Sequence, residues 1–504
     1  MMILECLEKN AEKYPGKTAF SDSRGEITWD ALMRDVKAAA TAVISMVPEV
    51  NRPVAVLIDR NIESVIAFLA TAVSRNFYVP VDLTQPEERV RSIFQQIRPS
   101  LTIAACSIPE GYAEILTGNL LEINSIRNTP AREDLIEERQ KNALDTDPLY
   151  AICTSGSTGV PKSVLIPHRA VNDFIPVFCE TFGLTESDVF GNQAPFDFDV
   201  SVKDIYSAIW CGASVFIIPK VCFAMPKLLM KELDQRKVTT IIWAVSALCI
   251  VAGINAFKHL RPGHLRRIMF SGEVMPVKML KVWMNQYPDA LFVNLYGPTE
   301  ITCNCLYYIV DHNREYEKLP LGIPFKNEKV VFLDENNCEI RTGGTGEICV
   351  MGTCLALGYY RDIKKTDEVF VQNPLNSCWH EVMYRTGDLA VLKPDGQYYF
   401  TARKDFQIKH MGHRIELEEL ETHIQSLENV MRAVCILDEE RNKIVCFYKG
   451  STGQAEMVVA LRKKLPKYMI PNIFVQIEDF PVTKNGKVDR RKLKEMWKEG
   501  QVTG

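Results

Sequence analysis

Short runs of apolar, β-branched residues alternate along the chain with longer stretches whose apolar positions recur every three or four residues. Val54-Ala-Val-Leu-Ile58 reads as a strand, Glu63 to Val73 as a helix, and Tyr78-Val-Pro-Val-Asp82 as a strand again. Ala213-Ser-Val-Phe-Ile-Ile218, Thr239-Thr-Ile-Ile-Trp243 and Leu291-Phe-Val-Asn294 repeat the theme, with helix-like segments between them. Such alternation predicts an α/β architecture with largely parallel sheets. From about Lys329 the texture changes to shorter strands with Gly and Asp turns: Val330-Val-Phe-Leu333, Gly346-Glu-Ile-Cys-Val-Met351 and Gln397-Tyr-Tyr-Phe400. A small, mostly antiparallel β subdomain is expected there. The most apolar stretch, Ile241 to Ile254, is 14 residues long. A membrane span needs about 20, so this is a buried strand or helix of a core. The N-terminal segment has acids where a secretion signal needs bases, and no membrane insertion is expected.

With 504 residues the chain exceeds one compact core, so two or more domains are expected. Residues 405–504 carry 17 basic and 15 acidic side chains, a net of +2, whereas the other 404 residues carry 42 and 48, a net of −6. A boundary near 405 is therefore expected, with 1–404 as one domain and 405–504 as a second. From Arg462 to Lys498 there are 11 bases and 4 acids, either a solvated face or a docking face for an acidic partner. The overall net charge of −4 argues against a nucleic-acid binder. Fifteen cysteines are scattered singly, without a C-x-x-C, and His410-x-x-His413 has no second pair of metal ligands beside it. That pattern disfavours a zinc site and fits a reducing cytoplasm.

The segment Tyr150-Ala-Ile-Cys-Thr-Ser-Gly-Ser-Thr-Gly-Val-Pro-Lys162 carries the most chemistry. An apolar strand runs into a loop whose glycines let backbone amides approach an anion, whose hydroxyls add donors, and whose lysine adds charge. The P-loop of nucleoside triphosphatases is excluded, because Pro161 stands where that loop needs Gly and removes an amide donor. A polyphosphate cradle or a plain surface loop remains.

Thr154 to Lys162 resembles the signature of the adenylate-forming superfamily, which includes acyl-CoA synthetases, luciferases and the adenylation domains of peptide synthetases. Further resemblances follow in order: Tyr78 to Asp82, Asn294-Leu-Tyr-Gly-Pro-Thr-Glu300, Gly346-Glu-Ile348, Tyr384-Arg-Thr-Gly-Asp388, Arg403-Lys-Asp-Phe-Gln-Ile-Lys409, Gly412-x-Arg-Ile-Glu416, Tyr468-Met-Ile-Pro471 and Asn485-Gly-Lys-Val-Asp489. The resemblance implies a large N-terminal α/β domain with a β subdomain, a hinge at Asp405, and a mobile C-terminal α+β domain. It implies an ATP-dependent ligase that joins a carboxylate to AMP, releases pyrophosphate and uses Mg²⁺. Thr154, Ser155, Gly156, Thr158 and Lys162 would then hold the β- and γ-phosphates. Asn294, Leu295, Tyr296, Gly297, Pro298 and Thr299 would wrap the adenine, with Phe400 also at the nucleotide. Glu300 would coordinate Mg²⁺, Asp388 would accept the ribose hydroxyls with Arg403 behind it, and Lys487 would bridge carboxylate and α-phosphate. Two departures stand out: Ser163 and Ala402 occupy positions that are usually Gly.

Gln193-Ala-Pro-Phe-Asp-Phe-Asp-Val-Ser201 resembles the amino-acid-activating members, in which Asp199 would grip the substrate ammonium; Asp197 or Asp199 could instead cap a helix. The substrate pocket would be lined by Asp199, Val200, Lys203, Trp243, Met269, Ser271, Leu295, Cys303 and Asn304, with Trp243 keeping it small. Several segments resemble D-alanine–carrier-protein ligases, although Ser271 replaces a Cys of that group and Lys203 is unusual beside alanine. D-alanine is the leading substrate, and a separate acidic carrier protein bearing phosphopantetheine is the expected acceptor. The alternatives are an acyl- or aryl-CoA synthetase and a non-catalytic nucleotide-binding relative.

Overall fold

The computed structural model describes residues 3–502 except 113, 117, 127, 128, 157–160 and 483–487. The chain divides into two compact units: one of residues 1–82, 97–153 and 163–404, the other of 83–96, 154–162 and 405–504.

The larger unit is built on mixed sheets. In one, nine strands run in the order Ile323–Pro324, Leu306–Ile309, Leu291–Tyr296, Arg267–Ser271, Thr240–Ala244, Val189–Asn192, Ser214–Ile217, Thr18–Ser21, Glu26–Thr28. The strands from Leu291–Tyr296 through Thr18–Ser21 pair in parallel, and antiparallel strands close both edges. A seven-stranded sheet places Pro53–Ile58 and Phe77–Asp82 at its centre. Every residue of Pro53–Ile58 is buried, which is why that strand reads as an unbroken apolar run rather than an alternation. The following helix, Ile62–Val73, begins where the Asn61 side chain accepts from the Ser64 amide. A five-stranded antiparallel sheet, Glu328–Leu333, Thr345–Gly352, Val382–Leu392, Phe370–Gln372 and Tyr398–Arg403, forms the β subdomain.

The apolar stretch 241–254 splits into two elements, the strand Thr240–Ala244 and the helix Val245–Gly253. Parallel pairing with Arg267–Ser271 holds the first five residues extended. Beyond them Ile250 and Ile254 are exposed, so hydrophobicity alone could not place the break.

In the smaller unit, Val430–Asp438, Lys443–Gly450 and Ile473–Gln476 form a three-stranded sheet, accompanied by helices Leu417–Gln425, Gln454–Leu461 and Arg490–Lys498. A two-stranded ribbon, Gln407–His410 with His413–Glu416, precedes them. All fifteen cysteines are free thiols. Among the described residues no cluster of three or more His, Cys, Asp or Glu could hold a metal, and no helix is long and apolar enough to cross a membrane.

Candidate active site

The nucleotide-type residues of the larger unit gather at the end of the strand Leu291–Tyr296. Tyr296 is buried, and its hydroxyl donates to Asp388 Oδ2 at 2.6 Å. Arg403 Nη1 donates to Asp388 Oδ1 at 2.6 Å, so each carboxylate oxygen is held by its own donor. Burial, followed by the nearby Asp388 carboxylate, pushes the Tyr296 phenol well above its ordinary range. Asp388 and Arg403 meet because their strands pair in register, Asp388 opposite Arg403. Ala402 lies in that same strand opposite Leu389 and is not among the positive-φ residues, so replacing glycine here costs no backbone strain. Phe400 packs at the edge of this cluster, under the Lys318 ammonium.

Gly297 follows the strand. A Cβ there would lie 2.5 Å from Asn304 Cα and 2.7 Å from Cys303 O, so the position has no room for a side chain. The crowding arises because Thr302 and Cys303 both take positive φ, 55° and 76°, folding the segment back onto Gly297. Pro298 and Thr299 lead into the short helix Thr299–Ile301, which carries Glu300. Glu300 is fully buried and its Oε1 accepts from the Tyr359 hydroxyl at 2.8 Å. One buried carboxylate is a partial donor set, and it suits a Mg²⁺ whose other ligands are phosphate oxygens and water. Asn294 Nδ2 donates to Pro320 O at 2.8 Å and ties the strand to the next segment.

A second group lies around the N-terminus of the helix Val200–Cys211. Asp199 occupies the cap position without a side-chain capping bond, so capping does not account for its carboxylate. Its main-chain carbonyl accepts from Cys303 Sγ at 3.2 Å. Cys303, Leu295 and Met269 are buried in one apolar cluster, against which Val200 packs. Ser271 ends its strand buried, with no hydrogen-bond partner for Oγ among the described residues. Lys203 is wholly buried, its ammonium donating to Asn304 Oδ1. Burial lowers its pKa, while Cys303, Asp199 and Asp204 oppose that shift. Lys203 therefore turns toward the Asp199 group.

Trp243 does not join them. In register it pairs with Phe270, whereas Ile242 pairs with Met269. Alternation therefore sends the indole to the other sheet face. There it lies edge-on to Phe223 and Trp283 and donates to Gly191 O at 2.7 Å, inside a second core. The expected closure of the pocket by this ring is not what the structure shows.

Arg60 was invisible in the sequence because nothing local marks it. It is half-buried and donates to the carbonyls of Ile218, Gln193, Ala194 and Asn192 and to Asn192 Oδ1. Asn192 in turn donates to Asp204 Oδ2 at 2.8 Å. One guanidinium thus fixes the segment leading to Asp199. Tyr359 was likewise unmarked.

In the smaller unit, Thr154, Ser155, Gly156 and Lys162 are described, and Thr158 lies outside the described residues. Thr154 Oγ1 donates to Lys162 O at 3.5 Å. Ser163, at the next position, is buried with its hydroxyl 3.2 Å from Cys153 Sγ, so it faces the strand. Asp405 stands where the chain passes from one unit to the other, its Oδ1 accepting from the Gln407 amide. Lys487 lies outside the described residues.

A buried Tyr–Asp–Arg chain and a glycine-crowded turn carrying a buried glutamate thus lie together on a parallel α/β scaffold. The chain belongs to the AMP-binding enzyme family, whose model matches residues 7–360. By class it is an adenylating, AMP-forming ligase that uses ATP. D-alanine–D-alanyl carrier protein ligase of Bacillus cytotoxicus is 31% identical over 510 residues, 98% of this chain and 99% of that protein. Tyrocidine synthase 1 of Brevibacillus parabrevis is 30% identical over 502 residues, 98% of this chain but 45% of that protein, so this chain spans less than half of it. A solved NRPS protein containing adenylation and PCP domains shares the fold, with a TM-score of 0.85 at 23% identity over 98% of this chain and 84% of that one.

Proposed function

We propose that the enzyme activates an amino acid as its adenylate and passes it to the phosphopantetheine thiol of a separate acidic carrier protein. Asp199 carries the reading, as a carboxylate at a helix N-terminus that is not used for capping, with the buried Cys303 bonded to its carbonyl and the buried Lys203 four residues along the same helix. A carboxylate held there selects an α-ammonium over a fatty or aryl acid. In this reading Thr154, Ser155, Gly156, Thr158 and Lys162 hold the terminal phosphates, and Glu300 with phosphate oxygens holds Mg²⁺. Asp388, oriented by Tyr296 and Arg403, accepts the ribose hydroxyls. Lys487 bridges the substrate carboxylate and the α-phosphate, and 405–504 moves about Asp405 between adenylation and transfer. The basic stretch 462–498 offers the carrier a complementary surface.

D-alanine is the first substrate to test, given the relatives named for it. The inward-turned Lys203 favours a second reading, an amino acid whose side chain is itself anionic. Pyrophosphate exchange against D- and L-amino acids, des-amino acids and aryl acids separates these, with thiol transfer compared between carrier protein and CoA. Strong D-alanine exchange, unchanged in Lys203→Met, is expected for the first reading. Exchange with aspartate or glutamate that is lost in Lys203→Met is expected for the second. Exchange with des-amino acids alone would remove Asp199 from its role.

A further inference from the structure

Two cysteines meet where two helices of the larger unit pack together. Cys179 lies in the last turn of the helix His168–Phe182, buried in an apolar core. Cys211 is the last residue of the helix Val200–Cys211, half-buried and packed against the same core. Leu184 ties the two together: its amide donates to Cys179 O at 2.9 Å, and its carbonyl accepts from Cys211 Sγ at 3.5 Å. The Cys179 thiol also hydrogen-bonds the Cys211 sulfur. That bond favours the Cys211 thiolate and lowers its pKa, against the opposing effect of burial. The same bond, together with burial, raises Cys179 well above the ordinary thiol range. A half-buried sulfur that ionises first thus has a protonated sulfur behind it, the arrangement of an attacking and a resolving thiol. Cys435 and Cys446 also face each other, in register across paired strands, but both are 0% exposed and lack such an entry.

We propose that Cys211 and Cys179 form a reversible oxidation site, which a peroxide converts to a disulfide joining the two helices. The Cys211 thiolate attacks one peroxide oxygen, the O–O bond breaks, and hydroxide leaves, giving the sulfenic acid of Cys211. The Cys179 sulfur then attacks the Cys211 sulfur, the S–O bond breaks, and a second hydroxide leaves as the S–S bond forms. The two thiol protons and the two hydroxides make two waters, and the two electrons lost by the sulfurs are those gained by the peroxide. A small dithiol reverses the change by exchange, itself becoming the disulfide. Cys179 also guards its neighbour, because closing the disulfide stops a second peroxide from carrying Cys211 to the irreversible sulfinic acid. The crosslink fastens the far end of the helix whose first turns carry Val200 and Lys203, so oxidation is recorded on that helix.

The test treats the full, folded chain with hydrogen peroxide, blocks the remaining thiols with N-ethylmaleimide, digests without reductant and maps the peptides by mass. The unaltered protein should yield one peptide pair joined through Cys179 and Cys211, lighter by two hydrogens than its thiol forms and released by dithiothreitol. Cys179→Ser should stop at the Cys211 sulfenic acid, trapped by dimedone, and should pass on to sulfinic acid as peroxide is raised. Cys211→Ser should leave Cys179 unoxidised at the same dose. Cys179→Ala removes the hydrogen-bond donor and should slow alkylation of Cys211 by about three- to tenfold, while Cys179→Ser, which keeps a donor, should restore most of that rate. Cys179 and Cys211 recovered as thiols from the oxidised parent, or Cys211 joined to a different cysteine, would overturn the pair. Oxidation of Cys179 that persists in Cys211→Ser would overturn the order of attack. Should the variants not fold, the parent protein alone decides through its crosslinked peptide.

Discussion

Asp204 is fully buried, and loss of hydration lifts its carboxyl from the ordinary range to about 7. Asn192 donates to one oxygen, and the other has no hydrogen-bond partner among the described residues. The folded protein thus keeps this proton up to near neutrality, whereas the unfolded chain releases it near the usual value of about 3.9. Its contribution to stability is complete below about pH 4 and is lost as pH rises through about 7. Asp204→Asn should abolish that loss. In urea unfolding, the variant should gain on the parent between pH 5 and pH 8, by an amount on the order of 1–4 kcal/mol at pH 8. A difference that stays constant with pH would mean Asp204 is ionised in the fold. The same scale holds the substrate question, since in the proposed reading the buried Lys203, bonded to Asn304, would set what the Asp199 group can accept.

At the scale of elements, the turn after the strand Leu291–Tyr296 connects the residues proposed for the nucleotide to those proposed for the substrate. Gly297 lies under the Cys303–Asn304 backbone, Glu300 sits in the short helix between, and Cys303 bonds to Asp199 O. Gly297→Ala must therefore displace backbone rather than the tip of a side chain, at a cost of about 1–3 kcal/mol. Its thermal midpoint should fall, and the KM values for ATP and amino acid should rise together. A rise in ATP KM alone would show that the Cys303 side of the turn absorbs no strain.

At the scale of the whole molecule, the proposed two half-reactions would make different demands on residues 405–504. Lys487→Ala should slow pyrophosphate exchange by about 10²–10³-fold, the size of effect seen when one transition-state donor is lost. Transfer of a preformed adenylate to the carrier should be nearly unchanged. Equal damage to both steps, read in single turnovers, would make this lysine structural.

Much of this protein was legible before any coordinates. Unbroken apolar runs such as Val54–Ile58 mark strands buried on both faces, because burial acts on each residue independently of its partners. The order of short polar signatures fixes the family, and the same signatures single out Asp388, Arg403, Glu300 and Lys162 as candidates, since backbone approach and charge placement demand particular residue types. What depends on distant pairing was not legible. The break inside 241–254 follows from a neighbouring strand, and the direction of Trp243 follows from a one-residue register. Arg60 acts on carbonyls 132 to 158 positions away, and the Glu416–Lys162 pair joins residues 254 apart. The sequence determined which groups this enzyme possesses. Only the tertiary structure decided which of them meet, because hydrogen bonds and ion pairs reach about 3 Å and the chain must fold to bring their atoms that close.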